Sequence, residues 1–263
     1  MKMPELSLLW NQEFDSPSGS RLDPAFWVHD LGDGSSHGIP GWGNNELEYY
    51  TDSAATTDGS SCLVIEARRN TAAKPLPVYY GETAEWTSAR LTTAGKVAFL
   101  YGRVEARLKF PAGEGTWPAF WMLGENIAQV GWPSCGEIDI AEGRGDQPSA
   151  LYTTLHGPGY SGDKGKGLVK DLGYRISDDF HTFAIDWLPN SITWLVDGVA
   201  VQHFTPADVP GDWVYNAPHY VLMNLAMGGN FTGPVDPQLN AADYKIDYVR
   251  HYQLDGVGEV FLR

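Results

Sequence analysis

The sequence contains few cysteines, few charged residues and no long apolar run. Only 2 of its 263 residues are cysteines, too few for the disulfide framework of a small secreted domain. Cys62 and Cys135 match no metal-ligand spacing, so we expect two buried free thiols, with one structural disulfide as the alternative. No stretch approaches the roughly 18 consecutive apolar residues of a membrane helix, and a membrane is therefore not an expected partner.

Positive charge is also scarce. The chain has 18 Lys and Arg residues against 33 Asp and Glu residues, and its formal net charge is −15. A protein that binds nucleic acid through the phosphate backbone needs clustered basic residues, so this partner class is not expected. No apolar signal core follows the opening residues 1–4. The protein is therefore either cytosolic, or a signal peptide was removed.

Glycine and proline, with 30 and 17 residues, are plentiful, and the apolar pattern between them has a period of two. Such alternation predicts strands with one solvated face, and Asp197-Gly198 is typical of a hairpin turn. No helix longer than about two turns is predicted. The clearest predicted strands are 103–110, 183–187, 191–196, 199–204 and 244–249.

These patterns predict an all-β protein, a two-sheet jelly-roll sandwich with an open cleft. The chain contains no internal repeat and no linker, so we expect one domain over residues 1–263. Two long polar segments, Asn70–Thr87 and Gly143–Tyr174, are predicted to be loops that interrupt the strands. Loops of this length in a compact domain are usually functional.

The most informative stretch contains three acidic residues within six positions, Glu137, Asp139 and Glu142, interleaved with apolar residues. Like charges in a partly buried strand resist joint ionisation, and this cost indicates function. In a regular strand the first two share a face and Glu142 points to the other. A one-residue bulge around Ile140-Ala141 would bring all three carboxylates onto one face.

A row of carboxylates on one face suits a retaining glycosidase, in which two carboxyl groups about 5–5.5 Å apart act as nucleophile and acid. The middle acid would raise the proton affinity of its neighbours and pass protons between them. Two other interpretations stay open. One is a hard-cation site that includes His156, although the usual oxygen-rich loop is missing. The other is an acidic strand without chemistry.

The stretch resembles the Glu-x-Asp-x-x-Glu strand of glycoside hydrolase family 16, specifically of its bacterial laminarinase-like branch of endo-β-1,3-glucanases. Lichenases of that family have the shorter Glu-x-Asp-x-Glu. Two departures, Ala141 in place of a frequent Met and Gly143 in place of a bulkier residue, are expected to reshape the leaving-group side of the cleft. The resemblance spans roughly 10–253, and the segments that carry it are 44–50, 87–90, 117–122, 155–159, 224–230 and 247–250.

The resemblance implies a retaining endo-glycosidase that acts on β-1,3-glucan without a cofactor for catalysis. Glu137 would be the nucleophile, Asp139 the helper acid and Glu142 the general acid/base. Trp187 and Trp194 are expected in the core, and Trp42 and Trp86 are weaker cleft candidates. The residues implied to bind substrate are Asn45, Arg90, Trp117, Trp121, Trp132 and His156. Trp117 and Trp121 are expected to face opposite sides of a regular strand, so one of the two would lie in the core unless the chain bends.

The resemblance also implies a structural Ca²⁺ ion, held by Glu13, the Gly59 backbone and Asp247. Because polymeric glucan lies outside the cell, we expect a secreted protein, and we expect a monomer. Three alternatives remain open: a mixed-linkage β-1,3-1,4-glucanase, a hydrolase of another polysaccharide, and a glucan-binding module without catalytic activity. The last is the least favoured, because all three acids are present.

Overall fold

The computed structural model describes residues 4–71, 76 and 83–263. Much of the predicted loop Asn70–Thr87 lies outside the described residues. Within them the chain forms two large sheets that pack face to face, as a jelly-roll sandwich does. Strand pairing is antiparallel throughout both sheets except between two short strands of the first sheet. The prediction of an all-β jelly roll is confirmed.

The first sheet has ten strands among the described residues. They are β1 (Leu6–Gln12), β3 (Glu48–Tyr50), β4 (Ala55–Thr57), β5 (Leu63–Arg69), β6 (Trp86–Ser88), β9 (Gly102–Lys109), β14 (His181–Leu188), β15 (Ser191–Val196), β16 (Val199–Phe204) and β18 (Ala241–Leu254). Their order is β16-β15-β14-β9-β18-β5-β6-β3, with β1 on β18 and β4 on β5. The parallel pair is β3 and β6.

The second sheet has nine strands among the described residues. They are β2 (Val28–Asp30), β7 (Arg90–Thr92), β8 (Val97–Leu100), β10 (Thr116–Gly124), β11 (Glu137–Arg144), β12 (Gln147–His156), β13 (Lys166–Asp171), β17 (His219–Met227) and β19 (Glu259–Leu262). Their order is β13-β12-β11-β10-β17-β7-β2, while β8 joins β17 to β19. Two single-turn helices, α1 (Ile127–Val130) and α2 (Gly229–Thr232), follow β10 and β17.

The core lies between the two sheets and follows the period-two pattern of the sequence. In β9 buried and partly exposed residues alternate over all eight positions. In β14 the alternate residues Phe183, Ile185 and Trp187 are fully buried, and Trp194 of β15 is 1% exposed. Burial of each such side chain stabilises the fold by roughly 1.5–3 kcal/mol. The core assignment of Trp187 and Trp194 is confirmed, as is the hairpin from β15 to β16.

The prediction of one long loop over Gly143–Tyr174 is wrong. Most of this segment forms β12 and the edge strand β13. Leu151, Thr153 and Leu155 of β12 point inward at 0%, 1% and 0% exposure, and the residues between them face outward. The segment looks polar because seven of the ten residues of β12 and all six residues of β13 are at least partly exposed to solvent.

Two further expectations concern the cysteines and the membrane. Cys62 and Cys135 are both free and buried, which confirms the first interpretation and excludes a disulfide between them. Burial raises the pKa of each thiol to about 11, so neither is a reactive thiolate at neutral pH. Among the described residues, no helix has the length and apolar character to cross a membrane.

Candidate active site

A bulge in β11 places the acidic residues. On β12 the partners of Asp139 and Glu142 are Thr154 and Tyr152, so three steps along β11 correspond to two on its neighbour. The pairing with β10 shifts at the same place. One extra residue in the strand restores Glu142 to the face of Asp139, because side chains alternate with period two. The predicted bulge around Ile140-Ala141 is confirmed, and both of its residues are buried.

The acidic row includes one histidine. His156 lies opposite Glu137 in the β11–β12 pairing, and its Nε2 is 3.1 Å from Asp139 Oδ2 and 3.9 Å from Glu137 Oε1. The side chain of Asp139 is 4% exposed, against 17% for Glu137 and 14% for His156. Asp139 is therefore the deepest member of the group. One carboxylate oxygen of Glu137, one of Asp139 and one ring nitrogen of His156 lie within 4.8 Å of one another.

The two glutamates differ from ordinary surface carboxyls in their proton affinity. Burial and then the charge of Asp139 raise the pKa of Glu137 to about 8. The same two causes raise the pKa of Glu142 well above its usual value. Burial lowers the pKa of His156, but its hydrogen bond to Asp139 and the acidic charges outweigh this and raise it to about 9. At neutral pH His156 is therefore mostly an imidazolium, which stabilises the neighbouring carboxylates.

Tryptophan N–H groups bind both outer carboxylates. Trp132 Nε1 donates to Glu137 Oε2 at 2.6 Å, and Trp117 Nε1 donates to Glu142 Oε1 at 2.9 Å. Each bond stabilises the ionised form of its carboxyl and lowers its pKa. Each glutamate is thus held at one oxygen, while the other remains available for chemistry.

Trp132→Phe is expected to change the pH dependence of activity. An aromatic side chain stays beside His156, whose ring lies 6.1 Å from that of Trp132, but the N–H bond to Glu137 is lost. Because that bond lowers the pKa of Glu137, its loss raises the pKa and moves the acidic limb of the kcat/KM–pH profile to higher pH. At a fixed pH below that limb, activity falls about tenfold for each pH unit by which the limb moves. An unmoved limb would contradict the assignment of the limb to Glu137.

Trp117 and Trp121 lie on the same face of β10. Trp117 contacts Glu142, and Trp121 pairs in register with Asp139 and donates from Nε1 to Asn224 Oδ1 at 2.8 Å. The expectation that one of the two is in the core is wrong, since residues four apart in a strand point the same way. Both are partly exposed beside the acidic row.

Arg90 and Asn45, which were expected to bind substrate, each contact neighbouring side chains. The Arg90 guanidinium lies between the rings of Trp42 and Trp121, at 4.4 and 4.8 Å from their centroids, and Arg90 Nε donates to Asp30 at 3.0 Å. Arg90 therefore contacts the Trp121 ring, and Asp30 is its ion-pair partner. Asn45 Nδ2 donates to Asn230 Oδ1 at 2.8 Å and joins its segment to α2.

Sequence reasoning missed an aromatic residue on α2. The Phe231 ring lies 4.8 Å from the Trp117 ring and 4.9 Å from the Tyr152 ring, so it borders the Glu142 end of the row. The signal available in the sequence was the pair Gly228-Gly229, whose positive φ angles of 67° and 85° turn the chain back over the sheet. Of the weaker cleft candidates, Trp86 is fully buried and Trp42 is 5% exposed, so neither offers an open ring face.

The expected calcium ligands are engaged elsewhere. Both carboxylate oxygens of Glu13 accept from Arg250 at 2.8 Å, and Asp247 Oδ2 accepts from Arg107 Nη1 at 2.7 Å. Gly59 lies in a turn with a φ of 80°. As side-chain ligands these carboxylates do not fit Ca²⁺ in this arrangement, because a guanidinium already compensates each charge. These contacts therefore give no support to Ca²⁺ held by the side chains of Glu13 and Asp247.

Comparisons with known proteins agree with this geometry. The sequence model of the family described as glycosyl hydrolases family 16 matches residues 42–250. A β-glucanase from Rhodothermus marinus is 39% identical over 267 residues, which cover 96% of this chain and 87% of that protein. A glucan endo-1,3-β-glucosidase from Cryptopygus antarcticus is 38% identical, with 92% and 90% covered. The laminarinase catalytic domain from Thermotoga maritima MSB8 superposes with a TM-score of 0.88 at 43% identity, covering 95% of this chain and 98% of that one. The chain belongs to glycosyl hydrolases family 16.

Proposed function

We propose that this protein is a retaining endo-β-1,3-glucanase that hydrolyses internal bonds of laminarin-type β-glucans. The observation that carries the proposal is the bulged strand β11, which puts Glu137, Asp139 and Glu142 on one face beside partly exposed tryptophans. Similar proteins named for β-glucan and β-1,3-glucan hydrolysis support the substrate class. Indole faces suit the C–H faces of glucose rings, and the carboxyl groups supply acid and nucleophile.

In the first step Glu142 protonates the glycosidic oxygen while Glu137 attacks the anomeric carbon. Glu137 is assigned as the nucleophile because His156, its cross-strand neighbour, stabilises its ionised form. The glycosidic electron pair leaves with the oxygen that receives the proton from Glu142. The product is a glycosyl ester on Glu137 and a shortened glucan chain.

In the second step a water molecule releases the sugar. Glu142, now ionised, accepts a proton from the water, which attacks the anomeric carbon and displaces the Glu137 carboxylate. Asp139 lies between the two glutamates in the strand and hydrogen-bonds His156, so its charge raises the proton affinity of both neighbours. Two displacements at one carbon retain the β configuration.

The decisive experiment combines product analysis with stereochemistry. Wild-type protein is incubated with laminarin and, separately, with barley mixed-linkage glucan, while ¹H NMR follows the first anomer formed. We expect the β anomer first, together with short β-1,3-linked oligomers. The α anomer first would overturn the retaining mechanism, and glucose as the sole early product would overturn endo action. Activity confined to mixed-linkage glucan would replace laminarin with mixed-linkage glucan as the substrate. Binding without cleavage would indicate a binding module.

We also propose that the protein is secreted and acts as a monomer, in a single catalytic domain over residues 1–263. The support is the substrate, since a polymeric glucan outside the cell is accessible only to a secreted enzyme. Glucan is the partner that the cleft is suited to bind, and the acidic charge of −15 makes nucleic acid a poor partner.

The arginine pairs predict that removal of Ca²⁺ does not change the stability of the protein. Because Arg250 and Arg107 already compensate Glu13 and Asp247, we expect EDTA to leave the thermal unfolding midpoint unchanged. Differential scanning fluorimetry with EDTA, and then with added CaCl₂, measures this. A lower midpoint that CaCl₂ restores would show that Ca²⁺ binds in spite of the arginines and contributes to stability through linkage.

A further inference from the structure

Two buried glutamates outside the acidic row have no part in the mechanism above. Glu46 is 7% exposed and Glu48 is 1% exposed, whereas glutamates are almost never fully buried unless they are paired. Glu48 begins β3 and Glu46 precedes it by two residues, next to the end of β17. There Glu48 Oε2 accepts from the backbone N–H of Met227 at 2.7 Å. Burial of two acids at one place is costly and needs a compensating role.

Burial raises the pKa of both carboxyls, and the charge of Glu46 raises the pKa of Glu48 further. Two ionised carboxylates side by side only repel, because both only accept hydrogen bonds, so the contacts of each oxygen indicate where a proton is needed. Glu48 Oε1 is buried without a donor to accept from, so a proton at this oxygen supplies the missing bond. Glu46 instead accepts from Asn44 Nδ2 at 3.0 Å and from Tyr50 Oη at 3.2 Å. Glu48 is therefore the neutral donor and Glu46 the ionised acceptor.

A chain of hydrogen bonds joins Glu46 to the cleft. Tyr50 Oη, which donates to Glu46, accepts from Asn224 Nδ2 at 3.2 Å. Asn224 Oδ1 in turn accepts from Trp121 Nε1 at 2.8 Å. Every donor in this relay is oriented toward Glu46. Since an indole N–H only donates and an amide has one accepting end, the charge on Glu46 fixes the orientation of each group in turn.

We propose that Glu46 is a positioning residue, which acts through Tyr50 and Asn224 to hold the indole of Trp121 in the cleft. Trp121 is the cross-strand neighbour of Asp139, so its ring plane borders the acidic row. Arg90 contacts the Trp121 ring and also contributes positive charge that stabilises ionised Glu46. The effect on glucan binding rests on the proposed function, whereas the effect on Trp121 itself does not.

The matched isosteric variants E46Q and E48Q separate this role from a general packing role. In E48Q the amide oxygen accepts from Met227 and the NH₂ group donates to Glu46, so the relay keeps its direction. In E46Q one of the two oxygens that accept from Asn44 and Tyr50 becomes an NH₂ group that cannot accept, and the negative charge that orients the relay is lost. We expect E46Q to raise KM for laminarin about 5- to 10-fold with kcat changed less than about twofold. We expect E48Q to stay within about twofold of wild type.

Two further readouts test action through Trp121. In a W121F background, where the indole N–H is absent, E46Q should have no further effect on KM. In ¹H–¹⁵N spectra the Trp121 indole cross-peak, identified as the one missing in W121F, should move in E46Q and in Y50F but not in E48Q. Y50F removes one donor to Glu46 and breaks the relay while both glutamates stay in the chain, so it keeps the test decisive if E46Q does not fold.

Several results would overturn the proposal. They are an equal KM effect of E46Q with and without Trp121, an E48Q defect as large as that of E46Q, and an indole cross-peak that stays in place in both E46Q and Y50F. If wild-type protein does not cleave laminarin, the proposed function fails. The indole cross-peak still decides the inference in that case, because it requires no substrate.

Discussion

Glu137→Ser is expected to lower kcat on laminarin at least about 10⁴-fold while laminarin binding is retained. Serine removes the carboxylate that forms the glycosyl ester, but it leaves Trp132, His156 and the strand backbone in place. The bulge that aligns the acidic row is formed by Ile140 and Ala141, so the substitution does not disturb it. Loss of activity therefore reports chemistry and not folding.

The assignment of Glu137 as nucleophile has a stereochemical test. With an activated aryl β-laminaribioside and added azide, Glu137→Ser is expected to form the α-glycosyl azide, because azide attacks directly in the space that the carboxylate leaves. Isothermal titration with laminari-oligosaccharides measures retained binding. Glu66→Ser, a change of a glutamate on β5 of the other sheet, is the matched control and should keep wild-type activity. A β-glycosyl azide from Glu137→Ser would exchange the roles of the two glutamates.

Much of the fold could be predicted from local patterns. The hairpin from β15 to β16 follows from alternation on either side of Asp197-Gly198, where the two-residue turn sets the pairing of Val196 with Val199. The register shift farther along, between Trp194 and Leu195, is not predicted from the turn. The bulge in β11 followed from an argument about parity, since three acids can share a face only if the strand gains a residue. Both features depend on residues that are close in sequence, so the local sequence pattern was sufficient to predict them.

The errors have physical causes of a different kind. β12 looked like a loop because an edge strand and its neighbour expose most of their side chains, so polarity alone does not distinguish them from a loop. The Glu46–Glu48 pair gave no signal, because the backbone N–H that Glu48 accepts from belongs to Met227, 179 residues away on another strand. Burial of that kind is set by tertiary pairing, which local periodicity does not encode.

Glu142→Gln is the second substitution with a large expected effect, and here the loss depends on the leaving group. Without an acid the glycosidic oxygen of laminarin departs unprotonated, so kcat should fall about 10²- to 10⁴-fold. An aryl leaving group of low pKa needs no proton, and with it the first step should be nearly as fast as in wild type. The second step then becomes limiting, because the amide cannot accept a proton from water.

The pH profile and azide complete the test of Glu142. In wild type the cleavage of laminarin needs protonated Glu142, so activity falls as the pH rises through its pKa, which burial and Asp139 raise well above the usual value. Glu142→Gln cannot ionise, and the alkaline limb of its residual kcat/KM for laminarin should therefore disappear. Azide attacks the glycosyl ester without base assistance and should restore turnover with the β-glycosyl azide as product. An alkaline limb that persists in the variant would assign the acid to another group, and His156, whose pKa is raised to about 9, would be the next to replace.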